Sequence, residues 1–141
     1  MLKTLLPIDG SEASLRAVEY VIRLYNSCQN GQIVLINVQP PVDSWELKSH
    51  LRPAEIEAMQ ETRGGDALVS AREMLDRAHV PYETAVLLGK VAESIVACAQ
   101  ENACEQIIMG NKGESFLEEA VTGSVAHDVL RLSPLPVTYV K

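Results

Sequence analysis

Residues 106–126 read QIIMGNKGESFLEEAVTGSVA and contain an apolar run, a glycine-rich segment and the start of an amphipathic segment. The apolar run at residues 106–109 predicts a buried strand that stops at Gly110, and the pattern from Ser124 onward predicts a helix. Glycine lets a backbone approach a phosphate without an intervening Cβ, and the first turn of a helix offers unpaired N–H groups. The stretch therefore predicts a strand, an anion-binding turn and a helix, in that order.

The small residues of this stretch follow the spacing G-x2-G-x9-G-[ST], with Gly110, Gly113, Gly123 and Ser124 as its members. Each glycine taken alone is explained as well by a simple turn after a strand. Glycine occupies only 8 of the 141 positions, so the complete spacing is a far more specific signal than any single member.

The composition predicts one α/β domain that spans residues 1–141. A chain of this length has room for one compact core. Hydrophobic residues make up 47% of the chain but aromatic residues only 4%, so the core must consist mainly of Val, Leu, Ile and Ala. Such side chains suit parallel strands that helices cover on both faces.

The charge argues against some classes of partner. The formal net charge is -7 and Lys and Arg form no cluster, so a nucleic-acid partner is not expected.

The N-terminal residues lack the apolar core of a signal peptide, and no apolar run approaches the ~20 residues of a membrane span. The three cysteines, Cys28, Cys98 and Cys104, show no metal-binding spacing, and the first two are expected on buried helix faces. A cytoplasmic location is expected.

The N-terminal part of the chain predicts two strands with a helix between them. Residues 3–8 and 33–38 are short apolar runs of strand length. The segment from Ser11 onward has an apolar residue every three or four positions, which is typical of a helix. Either Ser11 or Asp9 is placed to cap its first turn.

The middle of the chain is less regular. Residues 41–52 show no period and are predicted to form a surface loop, in which Trp45 covers an apolar patch. One helix is predicted from Pro53, and Gly64-Gly65 marks the point for a kink or a break, because glycine destabilises a helix by about 1 kcal/mol relative to alanine.

The rest of the chain continues the alternation of strands and helices. Residues 82–88, 106–109 and 137–140 predict three strands, separated by helices. Such an alternation predicts parallel β-α-β units, which bind ligands at the carboxyl ends of strands where the chain order reverses. Asp9 and Gly110 both follow strand ends, although the sequence alone does not show that their strands are neighbours.

The chain resembles the universal stress protein family, specifically its ATP-binding branch. The resemblance extends over LLPIDGSEASLRAVEY at residues 5–20, IVLINV at 33–38, GKVAESIV at 89–96, and IIMGNKG and TGSVAHDVLRLSPLPVTYV near the C-terminus. It implies an α/β fold with a five-stranded parallel sheet of order 3-2-1-4-5 and helices on both faces. It also implies a homodimer that pairs the last strands, residues 137–140, together with an unidentified protein partner.

The resemblance also implies a binding site for ATP, or for ADP or AMP, with Mg²⁺ bound through the phosphates. Asp9 would lie near the ribose hydroxyls, Val38 would offer backbone groups to the adenine edge, and the Ser124 hydroxyl would donate to the phosphates. The full set of implied site residues is Pro7, Ile8, Asp9, Val38, Met109, Gly110, Lys112, Gly113, Gly123, Ser124, Val125 and Ala126.

Several alternatives remain open at the level of the sequence. Asp9 is explained equally well as a helix cap, and Lys112 is also compatible with a solvated loop. Glu114, Glu118 and Glu119 depart from the family pattern and could repel phosphates, hold their metal or point to solvent.

The function implied by the resemblance is that of an ATP-binding regulatory protein of the stress response. The alternatives are a slow ATPase or phosphotransferase and a nucleotide-free interaction scaffold. His50, His79 and His127 are far apart in the sequence, and no catalytic residue is assigned.

Overall fold

The computed structural model describes residues 2–112 and 123–141, in which strands and helices alternate as the sequence predicts. One additional short helix follows the second strand. The elements in chain order are β1 (Thr4–Pro7), α1 (Glu12–Cys28), β2 (Ile33–Gln39), α2 (Trp45–His50), α3 (Pro53–Arg77), β3 (Glu83–Leu88), α4 (Val91–Glu101), β4 (Gln106–Gly110), α5 (Ser124–Leu132) and β5 (Val137–Val140).

The five strands form one parallel sheet in the order β3-β2-β1-β4-β5. The predicted fold class and strand order are confirmed. In the register of the sheet, Leu5 of β1 lies opposite Val34 of β2 on one side and Ile107 of β4 on the other. The strands that precede Asp9 and Asn111 are therefore neighbours, which the sequence alone left open.

Two apolar layers enclose the sheet and bury the strands β1, β2 and β4 on both faces. One layer packs α4 and α5 against one face and is built around Leu5, Ile36, Ile95, Ile107 and Val129. The other packs α1 and α3 against the opposite face. Its centre consists of Leu6, Val18, Leu35, Leu75 and Ile108.

Two expectations for residues 41–52 are wrong. The segment contains α2, whose first turn is capped by the Ser44 hydroxyl, which accepts a hydrogen bond from the Leu47 N–H at 3.3 Å. A helix of six residues without any buried side chain leaves no apolar period to detect. Trp45 is 78% exposed, so its side chain does not cover an apolar patch among the residues that the structure describes.

Helix α3 runs through Gly64-Gly65 as one element, so the predicted single helix is present and no break occurs at that point. The reason is the packing of Gly64 on the sheet. A Cβ on Gly64 would lie 2.3 Å from Val86 Cγ1 and 3.1 Å from Asn37 Oδ1. The absence of a side chain therefore lets the helix approach β2 and β3 closely.

The cysteines divide by depth. Cys98 and Cys104 are buried, and burial raises the pKa of each thiol above its ordinary value. Cys28 is exposed at the end of α1, so the expectation that it is buried is wrong. Across residues 2–112 and 123–141, no helix combines the length and the apolarity needed to cross a membrane.

Candidate functional site

A cleft of about 190 Å³ opens at the carboxyl ends of β1, β2 and β4. It lies at the point where the chain order of the sheet reverses, which is the usual ligand site of an open α/β sheet. Eleven of the twelve residues named from the sequence line it, and Gly113 lies outside the described residues, as do Glu114, Glu118 and Glu119. The eleven are Pro7, Ile8, Asp9, Val38, Met109, Gly110, Lys112, Gly123, Ser124, Val125 and Ala126.

A tight turn joins β1 to α1 at one rim of the cleft. The Asp9 carboxylate accepts a hydrogen bond from the Ser11 N–H at 2.9 Å, and Gly10 has a φ of 87°, which favours glycine. The Ser11 hydroxyl caps α1 by accepting from the Ser14 N–H at 3.2 Å. Ser11 is therefore the cap, and Asp9 holds the turn in front of it while remaining exposed at the rim.

Gly110 brings the end of β4 against the start of α1. A Cβ at this position would lie 2.7 Å from the Ala13 carbonyl carbon and 2.9 Å from the Ser14 nitrogen. No side chain fits between the two main chains at such distances. Packing inside the protein thus requires this glycine, in addition to any role in admitting a ligand.

The N-terminus of α5 forms the opposite rim. Gly123 is the N-cap residue and has no side chain to bond to the first turn, and that turn contains no acidic residue. The Gly123 N–H donates to the Asn111 carbonyl at 2.6 Å, which ties the start of α5 to the end of β4. The amides of residues 124–126 are therefore in the position of the unpaired, electropositive end of a helix.

Tyr139 anchors this end of α5 to the sheet. Its hydroxyl donates to the Ala126 carbonyl at 2.5 Å, across the interface between α5 and β5. Burial raises the pKa of the Tyr139 phenol above its ordinary value, which favours the protonated form that donates this bond. The first turn of α5 is thereby held against β5.

The end of β2 presents main-chain groups to the cleft. The Ile36 carbonyl accepts from the Ile8 N–H on the β1 side, and the Gln39 carbonyl accepts from the Gly89 N–H on the β3 side. Successive residues of a strand between two parallel neighbours bond alternately to one side and the other. The peptide groups of Val38 consequently face the side of β1, beyond the point where that strand ends.

The wall between these rims is apolar. Val38, Ile95, Met109 and Ala126 line it and are each at most 9% exposed. An apolar wall with a few convergent polar groups is the usual construction of a site for a small organic ligand.

The sequence did not single out four residues of the cleft, namely Ser14, Asn37, Val91 and Ile95. Val91 and Ile95 have the i, i+4 spacing of one face of α4, which is visible in the sequence. Which face of α4 meets the cleft depends on packing. Asn37 lies next to the predicted residue Val38, and its polar side chain inside an apolar strand was an available signal.

Across the described part of the chain, no group of three or more His, Cys, Asp and Glu side chains is arranged to hold a metal ion. His127 is exposed on α5, and its main-chain N–H donates to the carbonyl of the N-cap residue Gly123.

Comparison with known sequences identifies the family. A model of the universal stress protein family matches residues 1–141. Universal stress protein MJ0531 of Methanocaldococcus jannaschii is 32% identical over 146 residues, which cover 99% of this chain and 81% of the relative. Universal stress protein YxiE of Bacillus subtilis is 30% identical over 146 residues, which cover 99% of this chain and 98% of the relative.

Solved structures share the fold. Protein MJ0577 superposes with a TM-score of 0.82 and 25% identity over 99% of this chain and 94% of the other. A universal stress protein in complex with cAMP superposes with a TM-score of 0.73 and 22% identity over 99% of this chain and 97% of the other. A universal stress protein family protein from Arabidopsis thaliana with AMP bound superposes with a TM-score of 0.70 and 15% identity over 100% of this chain and 92% of the other. Given the match over its whole length and its relatives, the chain belongs to the universal stress protein family.

Proposed function

We propose that this chain binds an adenine nucleotide, in the first place ATP, in the cleft between β1, β4 and α5. The observation that carries the proposal is the convergence in one cleft of the eleven residues, with an apolar wall between a main-chain edge and a helix N-terminus. Relatives with bound cAMP and AMP support an adenine nucleotide as the ligand class.

The base would occupy the apolar wall. Adenine is flat and apolar on its faces but carries an acceptor and a donor side by side on one edge. The N–H and carbonyl of Val38 match these two groups, and Met109 and Ile95 supply the surface for the ring faces. The Asp9 carboxylate at the rim would accept hydrogen bonds from the ribose hydroxyls.

The phosphates would lie over the start of α5. The amides of Ser124, Val125 and Ala126 and the Ser124 hydroxyl would donate to them. Lys112 is exposed beside this rim and would add a positive charge. Mg²⁺ would bind through the phosphate oxygens, since these are the ligands it prefers alongside water.

The net charge of the protein does not decide against an anionic ligand. A formal charge of -7 is spread over the whole molecule, and salt screens exposed charges beyond about 8 Å at physiological ionic strength. A helix N-terminus stabilises a nearby anion by about 0.3–1 kcal/mol, and by up to about 2 kcal/mol when the site is partly buried. Local N–H donors can therefore outweigh distant carboxylates.

The biological role proposed on this basis is regulatory. Bound nucleotide would report the state of the cell to a protein partner during stress, from a homodimer that pairs the β5 strands. Free cysteines at 28, 98 and 104 suit the reducing cytoplasm.

Calorimetry with Mg-ATP tests the proposal, with Gly123→Val as the site variant. Gly123 has φ -67° and ψ 160°, a backbone that valine also adopts, so the variant should fold. The new side chain would stand where the phosphates lie, and we expect affinity to fall by about tenfold or more. Gly65→Ala, on the solvent side of α3, is the matched control and should bind as the wild type does.

The melting temperature supplies a second reading. At about 100 times its dissociation constant, Mg-ATP should add about 2.7 kcal/mol to the stability of the wild type. If neither heat of binding nor a shift in melting temperature is found with ATP, ADP or AMP, the proposal is wrong. The result would then favour the nucleotide-free interaction scaffold. Phosphate release that the wild type shows and Gly123→Val loses would identify an ATPase at the same site.

A further inference from the structure

Asn37 is a buried polar side chain at the edge of the cleft. It is 3% exposed, and its Nδ2 donates to the Ile8 carbonyl at 2.7 Å. Its Oδ1 accepts from Gln39 Nε2 at 2.7 Å. The amide is thus held in one orientation between the ends of β1 and β2, with Gly64 of α3 close behind it.

The Ile8 carbonyl, which accepts the hydrogen bond from Asn37, lies at the end of the ladder between β1 and β2. Ile8 donates its N–H to the Ile36 carbonyl at 2.8 Å, which is the last main-chain bond from β1 to β2. In a parallel ladder, the next bond would run from the Val38 N–H to the Ile8 carbonyl. Asn37 places a side-chain donor on this same carbonyl.

We propose that Asn37 is a positioning residue that ends the β1–β2 ladder at Ile8 and keeps the Val38 peptide edge open for the base. By bonding the Ile8 carbonyl, its amide replaces the main-chain donor that would otherwise close this edge. Asn37 thereby determines the selectivity of the cleft for adenine, because it keeps the Val38 peptide groups available to the base. This inference rests on the proposed function for its ligand but makes a separate claim about the sheet itself.

The first test needs no ligand. In Asn37→Leu, which is similar in size and lacks the donor, the Val38 N–H should bond to the Ile8 carbonyl. Amide hydrogen exchange followed by NMR should then slow at Val38 by about tenfold or more relative to the wild type. Unchanged exchange at Val38 in a folded variant would overturn the inference whatever the protein binds.

The second test measures recognition of the base. ITP differs from ATP by a reversal of donor and acceptor on the edge that Val38 would face. We expect wild-type protein to bind ITP at least about tenfold more weakly than ATP, because buried groups left unpaired are costly. In Asn37→Leu the ratio of the two dissociation constants should fall toward one.

Gln60→Leu is the matched control. Gln60 is 7% exposed, and its Nε2 donates to the Pro40 carbonyl at 2.7 Å. Its loss removes a comparable buried amide bond near the end of β2, but Gln60 does not line the cleft. We expect Gln60→Leu to keep the wild-type ratio, and Asn37→His, which retains a ring N–H donor, to keep most of it.

The outcomes separate the two proposals. If wild-type protein binds ATP selectively and Asn37→Leu keeps the ratio, the positioning role is wrong and the proposed function stands. If Gln60→Leu loses the ratio as well, the effect is general loss of structure and the positioning role is again wrong. If wild-type protein binds no adenine nucleotide, the proposed function and the claim of selectivity for adenine fail, whereas hydrogen exchange at Val38 still decides whether Asn37 ends the ladder.

Discussion

Gly64 and Gly65 are adjacent in α3 and have opposite surroundings. A Cβ on Gly64 would meet the Val86 side chain of β3, whereas a Cβ on Gly65 would meet nothing within 4 Å. The same residue type thus serves close packing at one position and only weakens the helix at the next. Gly110 belongs with Gly64, since a Cβ there would meet the main chain of α1.

We expect Gly64→Ala and Gly65→Ala to change stability in opposite directions. Overpacking against Val86 should lower the free energy of unfolding by about 1–3 kcal/mol in Gly64→Ala. Gly65→Ala should raise it by about 0.5–1 kcal/mol, because alanine loses less conformational entropy in a helix. Urea denaturation followed by circular dichroism measures both. Equal changes in the two variants would contradict the close contact between α3 and the sheet.

At the scale of the elements, hydrogen bonds to the end of β4 and to β5 position α5. The Gly123 N–H bonds to the end of β4, and the Ala126 carbonyl accepts from the Tyr139 hydroxyl of β5. The helix is only nine residues long, and helices of this length are marginal by themselves. Its packing on the sheet therefore determines where its N-terminus points.

The raised pKa of Tyr139 predicts a loss of stability at high pH. The folded state keeps the phenol protonated more firmly than the unfolded state does, because burial disfavours the charged form. This contribution is complete below the unfolded pKa of about 10 and is lost as pH rises through the folded value. The free energy of unfolding should therefore fall more steeply above about pH 10 in the wild type than in Tyr139→Phe. Parallel pH profiles for the two proteins would refute this role.

At the scale of the whole molecule, β5 is an edge strand of the sheet. The carbonyls of Pro136 and Val140 accept from the N–H groups of Ile107 in β4 and of Asn111, which follows β4. By the alternation of a parallel strand, the peptide groups of Val137 and Tyr139 face away from β4. These outward groups are the ones that a second copy would pair with in the proposed homodimer.

Val137→Pro should convert the proposed dimer into a monomer. Proline removes the outward N–H of Val137 while the inward bond from Ile107 to the Pro136 carbonyl remains. Val137→Ala is the control, because it shortens the side chain and keeps the N–H. Sedimentation velocity should show dimers for the wild type and Val137→Ala, and monomers for Val137→Pro. A dimeric Val137→Pro variant would rule out pairing through β5.

Local sequence was sufficient for those features that depend on neighbours in the chain. The apolar runs predicted the five strands and the long helices, because periodicity and turn residues act over a few positions. The strand order was implied by the resemblance. Residues 41–52 were misassigned for the same reason, since the six residues of α2 bury nothing and therefore show no period.

The sequence by itself determined the alternation of strands and helices and the glycine and serine positions at their ends. Only the tertiary structure decided that Gly64 and Gly110 are packing contacts and that Asn37 bonds to Ile8. These features join residues that are distant in the chain, such as Ile8 and Asn37, which are 29 positions apart. Hydrophobic periodicity predicts which face of an element is buried, but the contact partner depends on how all the elements pack together.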